Sequence, residues 1–341
     1  MTVEEKGAEA EDGYSCDKNH KAPGRMARNR VESGFEPFEH GSYAWDSMET
    51  PRIAVTFKQR IPWGAKLAAK IVLSRLPISY KVWKSLGAFE LGDMNRPEYA
   101  IDVFKKHWHR VHLDTEKQDG FVALELGPGD SLFSALIAKA FGSSKTYLVD
   151  VGSFATADLE SYRRMARLLE SSGFSLPECA KADSLDEMLR ASSGTYLTRG
   201  LLSVREIPSA SVDFIWSQHV LEHIRRDDFL PLFRELKRIQ KPLGVSSHSV
   251  DLKDHLGGNL NNLRFPDSLW ESNFMSKSGF YTNRIRCTEM LCLFSKAGYQ
   301  PEVLNVDRWT ELPTPRARLA EPFSTLPFEE LSVSGFDVVL H

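Results

Sequence analysis

Two glycines and two acids carry the most specific chemistry in this sequence. In LELGPGDS, residues 124 to 131, Gly127 and Gly129 close a short apolar run, and Glu125 stands two residues before the first of them. Glycine lets a backbone pass close to a ligand because no Cβ stands in the way. A dinucleotide turn G-x-G-x-x-G would carry a third glycine, but Leu132 fills that slot. No G-K-[ST] follows, so a P-loop is excluded. The turn suits a nucleoside without a diphosphate, and Glu125 beside it suits a cationic amino-acid tail. Asp130 or Ser131 is expected to cap the helix that follows. About twenty residues on, Asp150 ends the run YLVDV, where a carboxylate can accept hydrogen bonds from both hydroxyls of a ribose.

A second gathering of polar groups is SHSVDLKDHLGG, residues 247 to 258. His248 or His255 would serve as a general base, with Asp251 as the acid that orients it. The competing reading makes Asp251 and Asp254 turn caps and His248 a satisfied core histidine. A metal held by His248, Asp251 and His255 is disfavoured, because these residues follow no characteristic ligand spacing, and no metal is expected. In SQHVLEHI the four-residue spacing sets His219 and His223 on one helical face, with His223 bonding a backbone carbonyl. The stretch 257–286 is longer than a simple strand-to-helix link. Asn259, Asn261, Asn262, Tyr281, Asn283, Arg284 and Arg286 there could read a polyhydroxylated or anionic acceptor against a wall of Trp270, Phe274 and Phe280. The alternative is that the arginines are salt-bridge partners and the aromatics ordinary core.

These residues need a frame, and the apolar pattern supplies one. From Gly120 the chain alternates strand and helix: strands at FVALELG, KTYLVDV, TYLTRGLL, SVDFIWS, VSSHSV, PEVLNV and FDVVL, and helices at SLFSALIAKAF, DLESYRRMARLLESSG, RDDFLPLFRELKRIQ and RCTEMLCLFSKAGY. The third of these helices is expected to end at Pro242 and Gly244. Parallel crossovers of this length make a doubly wound α/β sheet with ligands at the carboxyl ends of its strands. Before it, residues 46–115 read as a helical layer broken at Pro77 and Pro97, in which His107 and Trp108 either reach a substrate or simply pack on the sheet. Residues 1–45 read as a disordered or mobile arm.

The succession LELGPG, LVDVG, SVDFIWSQHVLEHI and KPLG resembles the class I S-adenosylmethionine-dependent methyltransferases, in the branch with the LEH signature that modifies small molecules. The resemblance covers roughly residues 120–341, within a domain set at 116–341, and implies a Rossmann-like seven-stranded sheet whose last strand, FDVVL, is antiparallel. It implies S-adenosylmethionine as cofactor and S-adenosylhomocysteine as product. By position, Glu125, Gly127 and Gly129 with Asp130 and Ser131 would line the methionine end, and Asp150 would bind the ribose. Ser217, Gln218 and His219 would border the methyl group. Many members hold adenine with an acid after the third strand, whereas this chain offers Arg199, Gly200 and Leu201. Gly200 and Leu201 would then hold adenine by backbone contacts.

Composition narrows the partners. The 341 residues carry a formal charge of −3, so no excess of Lys and Arg points to nucleic acid. Cys16, Cys179, Cys287 and Cys292 form neither a C-x-x-C pair nor a disulfide framework, and no apolar run is long enough to span a bilayer. A cytoplasmic enzyme acting on a small molecule follows as the expectation, with a homodimer one allowed state. Methyl transfer to a hydroxyl in natural-product or saccharide metabolism is the leading reading. A nicotinamide-dependent oxidoreductase and a non-catalytic nucleoside-binding scaffold are the alternatives.

Overall fold

Short apolar runs closed by a glycine or an acid give the central strands, β1 (Val122–Leu126) and β2 (Lys145–Val149), each nearly wholly buried. The computed structural model describes Trp63, Gly64, Leu67, Ile71, residues 93–111 and residues 120–341, all within one compact unit. The expected arm and most of the expected helical layer lie outside these residues. The remaining strands are β3 (Gly194–Leu197), β4 (Val212–Gln218), β5 (Gln240–Asp251), β6 (Pro301–Arg308) and β7 (Val333–Leu340). Their order in the sheet is β3-β2-β1-β4-β5-β7-β6. β7 runs antiparallel to both its neighbours, and the pairs from β3 to β5 are parallel. The sheet is therefore the expected doubly wound one with an antiparallel last strand.

Each face of the sheet is covered by helices whose apolar residues recur at helical spacing. One face takes α1 (Pro97–Arg110), α2 (Phe133–Ala140) and α3 (Leu159–Ser171), packed around Phe104, Trp108, Phe133, Tyr162, Phe214 and Trp216. The other takes α4 (Leu201–Glu206), α5 (Arg226–Ile239) and α6 (Cys287–Lys296), around Phe229, Phe233, Phe294 and Phe336. α1 starts on Pro97, whose fixed φ suits a first helical position. α5 has Asp227 and Asp228 in its first turn and Lys237 and Arg238 in its last, matching the helix dipole at both ends.

Three local expectations are corrected. The third strand stops at Leu197 instead of running to Leu202, because Gly200 (φ +51°) turns the chain and Leu201 opens α4. α5 stops at Ile239, before Pro242 and Gly244. Those two residues lie inside β5, in a stretch that bulges where Gln240 pairs Val212 and Val245 pairs Phe214. His219 and His223 do not share a helical face. β4 ends at Gln218, His219 takes the left-handed conformation (φ +53°), and only Leu221–His223 winds, as one 3₁₀ turn.

Candidate functional site

The strand exits form one edge, and the glycine turn sits at its centre. Gly127 (φ +71°) donates its N–H to Val149 O at 2.8 Å, and Gly129 (φ +64°) donates to Asp150 Oδ2 at 3.1 Å. A Cβ on Gly127 would lie 2.6 Å from Val220 Cγ2, so the loop after β4 closes directly over the turn. Leu132, in the slot of a third glycine, is fully buried, and its N–H donates to the Tyr162 hydroxyl at 3.2 Å. The helix end that would face a diphosphate is thus occupied by the protein itself. Ser131 Oγ accepts from Phe133 N–H at 3.4 Å and donates to Met94 O at 2.8 Å, tying the residues before α1 to the turn. Asp130 is fully buried, and its carbonyl accepts from Thr156 N–H at 2.9 Å.

Two acids flank this turn. Glu125 is 2% exposed and its Oε2 has no hydrogen-bond partner. Burial, with the charge of Asp150 adding, pushes its carboxyl up to about 8. A cationic amine would complete that oxygen and favour the ionised form. Asp150 accepts from Val151 N–H at 2.7 Å as well as from Gly129, and burial raises its pKa. Its remaining lone pairs suit a vicinal diol. Beyond it, Val151 is 79% exposed, and a Cβ on Gly200 would lie 3.1 Å from it. Leu201, next to Gly200, is half-buried and Leu202 is exposed. Val151 was not among the sequence candidates. Its signal was an apolar residue directly after the strand-ending acid.

At the exit of β4, Ser217 is buried and its Oγ lies 2.7 Å from His248 Nδ1. Gln218 Oε1 accepts from Lys106 Nζ at 2.8 Å and His107 Nε2 at 3.1 Å, which turns the Gln218 amide N–H toward His219 Nε2 at 3.0 Å. His107 Nδ1 meets Ser247 Oγ at 2.8 Å, and burial keeps the ring neutral, well below its ordinary pKa. His107 and Trp108 thus pack α1 on the sheet. Lys106 of that helix reaches Gln218, and Arg110 reaches Ser249 and Asp337.

His248, one of the two proposed bases, bonds Ser217 and not Asp251. His248 is fully buried against Phe233 and Phe294, and burial pushes its pKa down to about 3. Asp251 accepts from Lys253 N–H at 2.9 Å. Asp254 caps its own loop, accepting from Leu256, Gly258 and Asn261 N–H groups. His255 instead stands beside His223, with ring centroids 4.6 Å apart. His223 Nδ1 donates to Tyr281 O at 2.9 Å, as the sequence suggested. Glu222, next to it, is buried, and burial raises its pKa well above the ordinary range. It was missed as a candidate although it lies within the LEH signature.

In the insertion most named groups brace the fold. Asn283 Nδ2 donates to Leu221 O and Ile224 O, at 2.8 and 2.9 Å. Arg284 (φ +58°) donates to Phe265 O at 2.7 Å and pairs with Asp267. Arg286 donates to the carbonyls of Leu252, Glu330, Leu331 and Val333. Tyr281 donates to Glu271 at 2.7 Å. Asn262 Nδ2 donates to Thr282 Oγ1 at 2.9 Å, and Asn259 is half-buried.

The comparisons bear on these strands directly. Residues 124–247 match the family described as "Methyltransferase domain". No curated protein matches the chain in sequence. Among solved structures, the chain is similar to a candidate O-methyltransferase from Nostoc punctiforme, at 15% identity and TM-score 0.38, over 69% of this chain and 55% of that one. It is similar to an S-adenosylmethionine-dependent methyltransferase from Mesorhizobium loti, at 15% identity and TM-score 0.36, over 69% and 96%. It is also similar to a phosphoethanolamine N-methyltransferase from Haemonchus contortus, solved with S-adenosylhomocysteine, at 15% identity and TM-score 0.36, over 69% and 52%. The chain therefore spans about half the length of the first and third of these. Among the described residues, no helix is long and apolar enough to cross a membrane. The match to a methyltransferase domain thus takes in both the glycine turn and the β4 exit, on a sheet ordered 3-2-1-4-5-7-6.

Proposed function

We propose that the methyl acceptor is a hydroxyl of a small molecule held at the exits of β4 and β5. In this reading Glu125 takes the ammonium of S-adenosylmethionine, the turn at Gly127 and Gly129 lies along its methionine tail, and Asp150 takes its ribose. Val151, Gly200 and Leu201 hold adenine through apolar contact and backbone. Ser217, Gln218 and His219 border the methyl group, with His219 fixed from behind by Gln218 and Lys106. Helix α1 is assigned to cover the crevice, and the insertion 253–286 to shape the acceptor side.

Methyl transfer is an in-line displacement. The acceptor oxygen bonds to the methyl carbon as the carbon–sulfur bond breaks, the sulfonium becomes a neutral thioether, and the hydroxyl proton must leave. The observation that carries the hydroxyl reading is the cluster of Glu222, His223 and His255, whose ligand atoms lie within 4.8 Å of one another beside the β4 exit. The proton leaves to or through that cluster. His255 is retained from the sequence candidates, and His248 is left to the core.

The test is an acceptor panel of hydroxyl, amine, thiol and carbon nucleophiles incubated with the full chain and methyl-labelled S-adenosylmethionine. The expected product is a methyl ether, formed with S-adenosylhomocysteine. His255→Ala should lower kcat by about 10²-fold or more while S-adenosylhomocysteine affinity is retained. Transfer to nitrogen or carbon alone, or full turnover in that variant, would contradict the reading.

A further inference from the structure

The exit of β4 joins side chains that come from separate parts of the sequence. Glu222 is 2% exposed, and neither of its carboxylate oxygens has a hydrogen-bond partner of ordinary geometry. The main-chain amides of Glu222 itself and of Asp251 face it without closing such a bond. A buried carboxylate left in that state is unfavourable unless a cation or a proton completes it.

His223 sets the direction of the site. The Tyr281 carbonyl can only accept, so His223 Nδ1 carries the ring proton and Nε2 keeps its lone pair. One nitrogen tied to a backbone carbonyl and the other bare is the arrangement of a metal-ligating imidazole. The His255 ring meets His223 edge to face, at 83° between planes. The turn itself is held rigidly, because Asn283 bonds the carbonyls of Leu221 and Ile224 through its side chain and that of Glu222 through its N–H, at 2.7 Å. His223 is exposed and His255 half-buried, so an ion can enter from the crevice.

We propose that Glu222, His223 and His255 bind one divalent transition-metal cation, zinc or a first-row neighbour, through two imidazoles and one carboxylate, leaving further positions open to the crevice. Two nitrogens and one oxygen suit such ions better than calcium or magnesium, which take oxygen ligands. The competing arrangement is a proton shared between carboxylate and imidazole, with no metal. A role in deprotonating the acceptor rests on the hydroxyl reading above, whereas the ion's binding is measured without any acceptor.

The untagged full chain, stripped with a chelator, is titrated with Co²⁺ by visible absorption and then with Zn²⁺ in competition. The expected result is one Co²⁺ per chain, displaced by Zn²⁺. Glu222→Gln and His255→Ala should each weaken binding at least about tenfold, with S-adenosylhomocysteine binding unchanged. X-ray absorption on the zinc-loaded wild-type chain should show two imidazole ligands, a readout that needs no variant to fold. The proposal is overturned by no binding below about 100 µM Co²⁺, by binding that both variants leave unchanged, or by zinc without imidazole ligands. Cobalt binding by a wild-type chain that fails to bind S-adenosylhomocysteine would leave the metal site standing and remove the methyl-transfer reading.

Discussion

The two ends of the strand-exit edge use similar residues in opposite ways. At the exits of β1 and β2, acids are buried with capacity left over: Glu125 Oε2 has no partner, and Asp150 holds two backbone N–H groups with lone pairs to spare. Beyond β5, polar groups are mostly engaged within the fold, as with Asn283 on the turn at 221–224 and Arg286 on four carbonyls, although Arg286 Nε and Asn262 Oδ1 have no hydrogen-bond partner. A buried polar group with its bonds closed braces the chain, and a buried carboxylate left open can take a cation or a donor from a ligand. The β4 exit lies between these extremes, with Asn283 closed and Glu222 open.

Variants can break this contrast. The largest effect is expected from Arg286→Met, which strips the donor from four carbonyls and should cost about 3 kcal/mol or more of stability. Where the variant still folds, its S-adenosylhomocysteine affinity should match wild type, as read by thermal melting and calorimetry on one sample. Asp150→Ala should do the reverse, weakening cofactor binding about 10- to 100-fold with a nearly unchanged melt.

Glu125 sharpens the comparison through pH. Its folded pKa of about 8 lies above the ordinary 4.5, so between these values the unfolded chain has released a proton that the ligand-free fold still holds. Stability from this group is full below about 4.5 and falls as pH rises toward 8. Cofactor affinity should move the other way, rising with pH as the carboxylate forms, and Glu125→Gln should flatten both profiles in melts and titrations. The smallest effect is expected at His248→Gln. Turnover per folded molecule should change less than about twofold, where loss of a general base costs about 10²- to 10⁴-fold.

What was legible in the sequence follows the same division. Gly127, Gly129 and Asp150 act through local geometry, a turn and a strand end, and apolar periodicity places both. β1, β2, β4 and β7 were readable for the same reason, as apolar runs, whereas the end of β3 and the start of β5 were not. His248 was not, since its burial against Phe233 and Phe294 depends on which face of β5 it takes and which helices cover that face. The pairing of His255 with His223 spans a loop and a 3₁₀ turn that no periodicity links. Arg284 and Arg286 have the composition of an anion site, and only their carbonyl and acid partners show them to be braces.

The central claim is that the exits of β1 and β2 form the S-adenosylmethionine site. Calorimetric titration of the full chain with S-adenosylmethionine, S-adenosylhomocysteine and NADH, repeated on Asp150→Ala, tests it most directly. The account predicts one-to-one micromolar binding of the first two, no binding of NADH, and loss of affinity in the variant. Binding of NADH in their place, or cofactor binding that Asp150→Ala leaves intact, would contradict it.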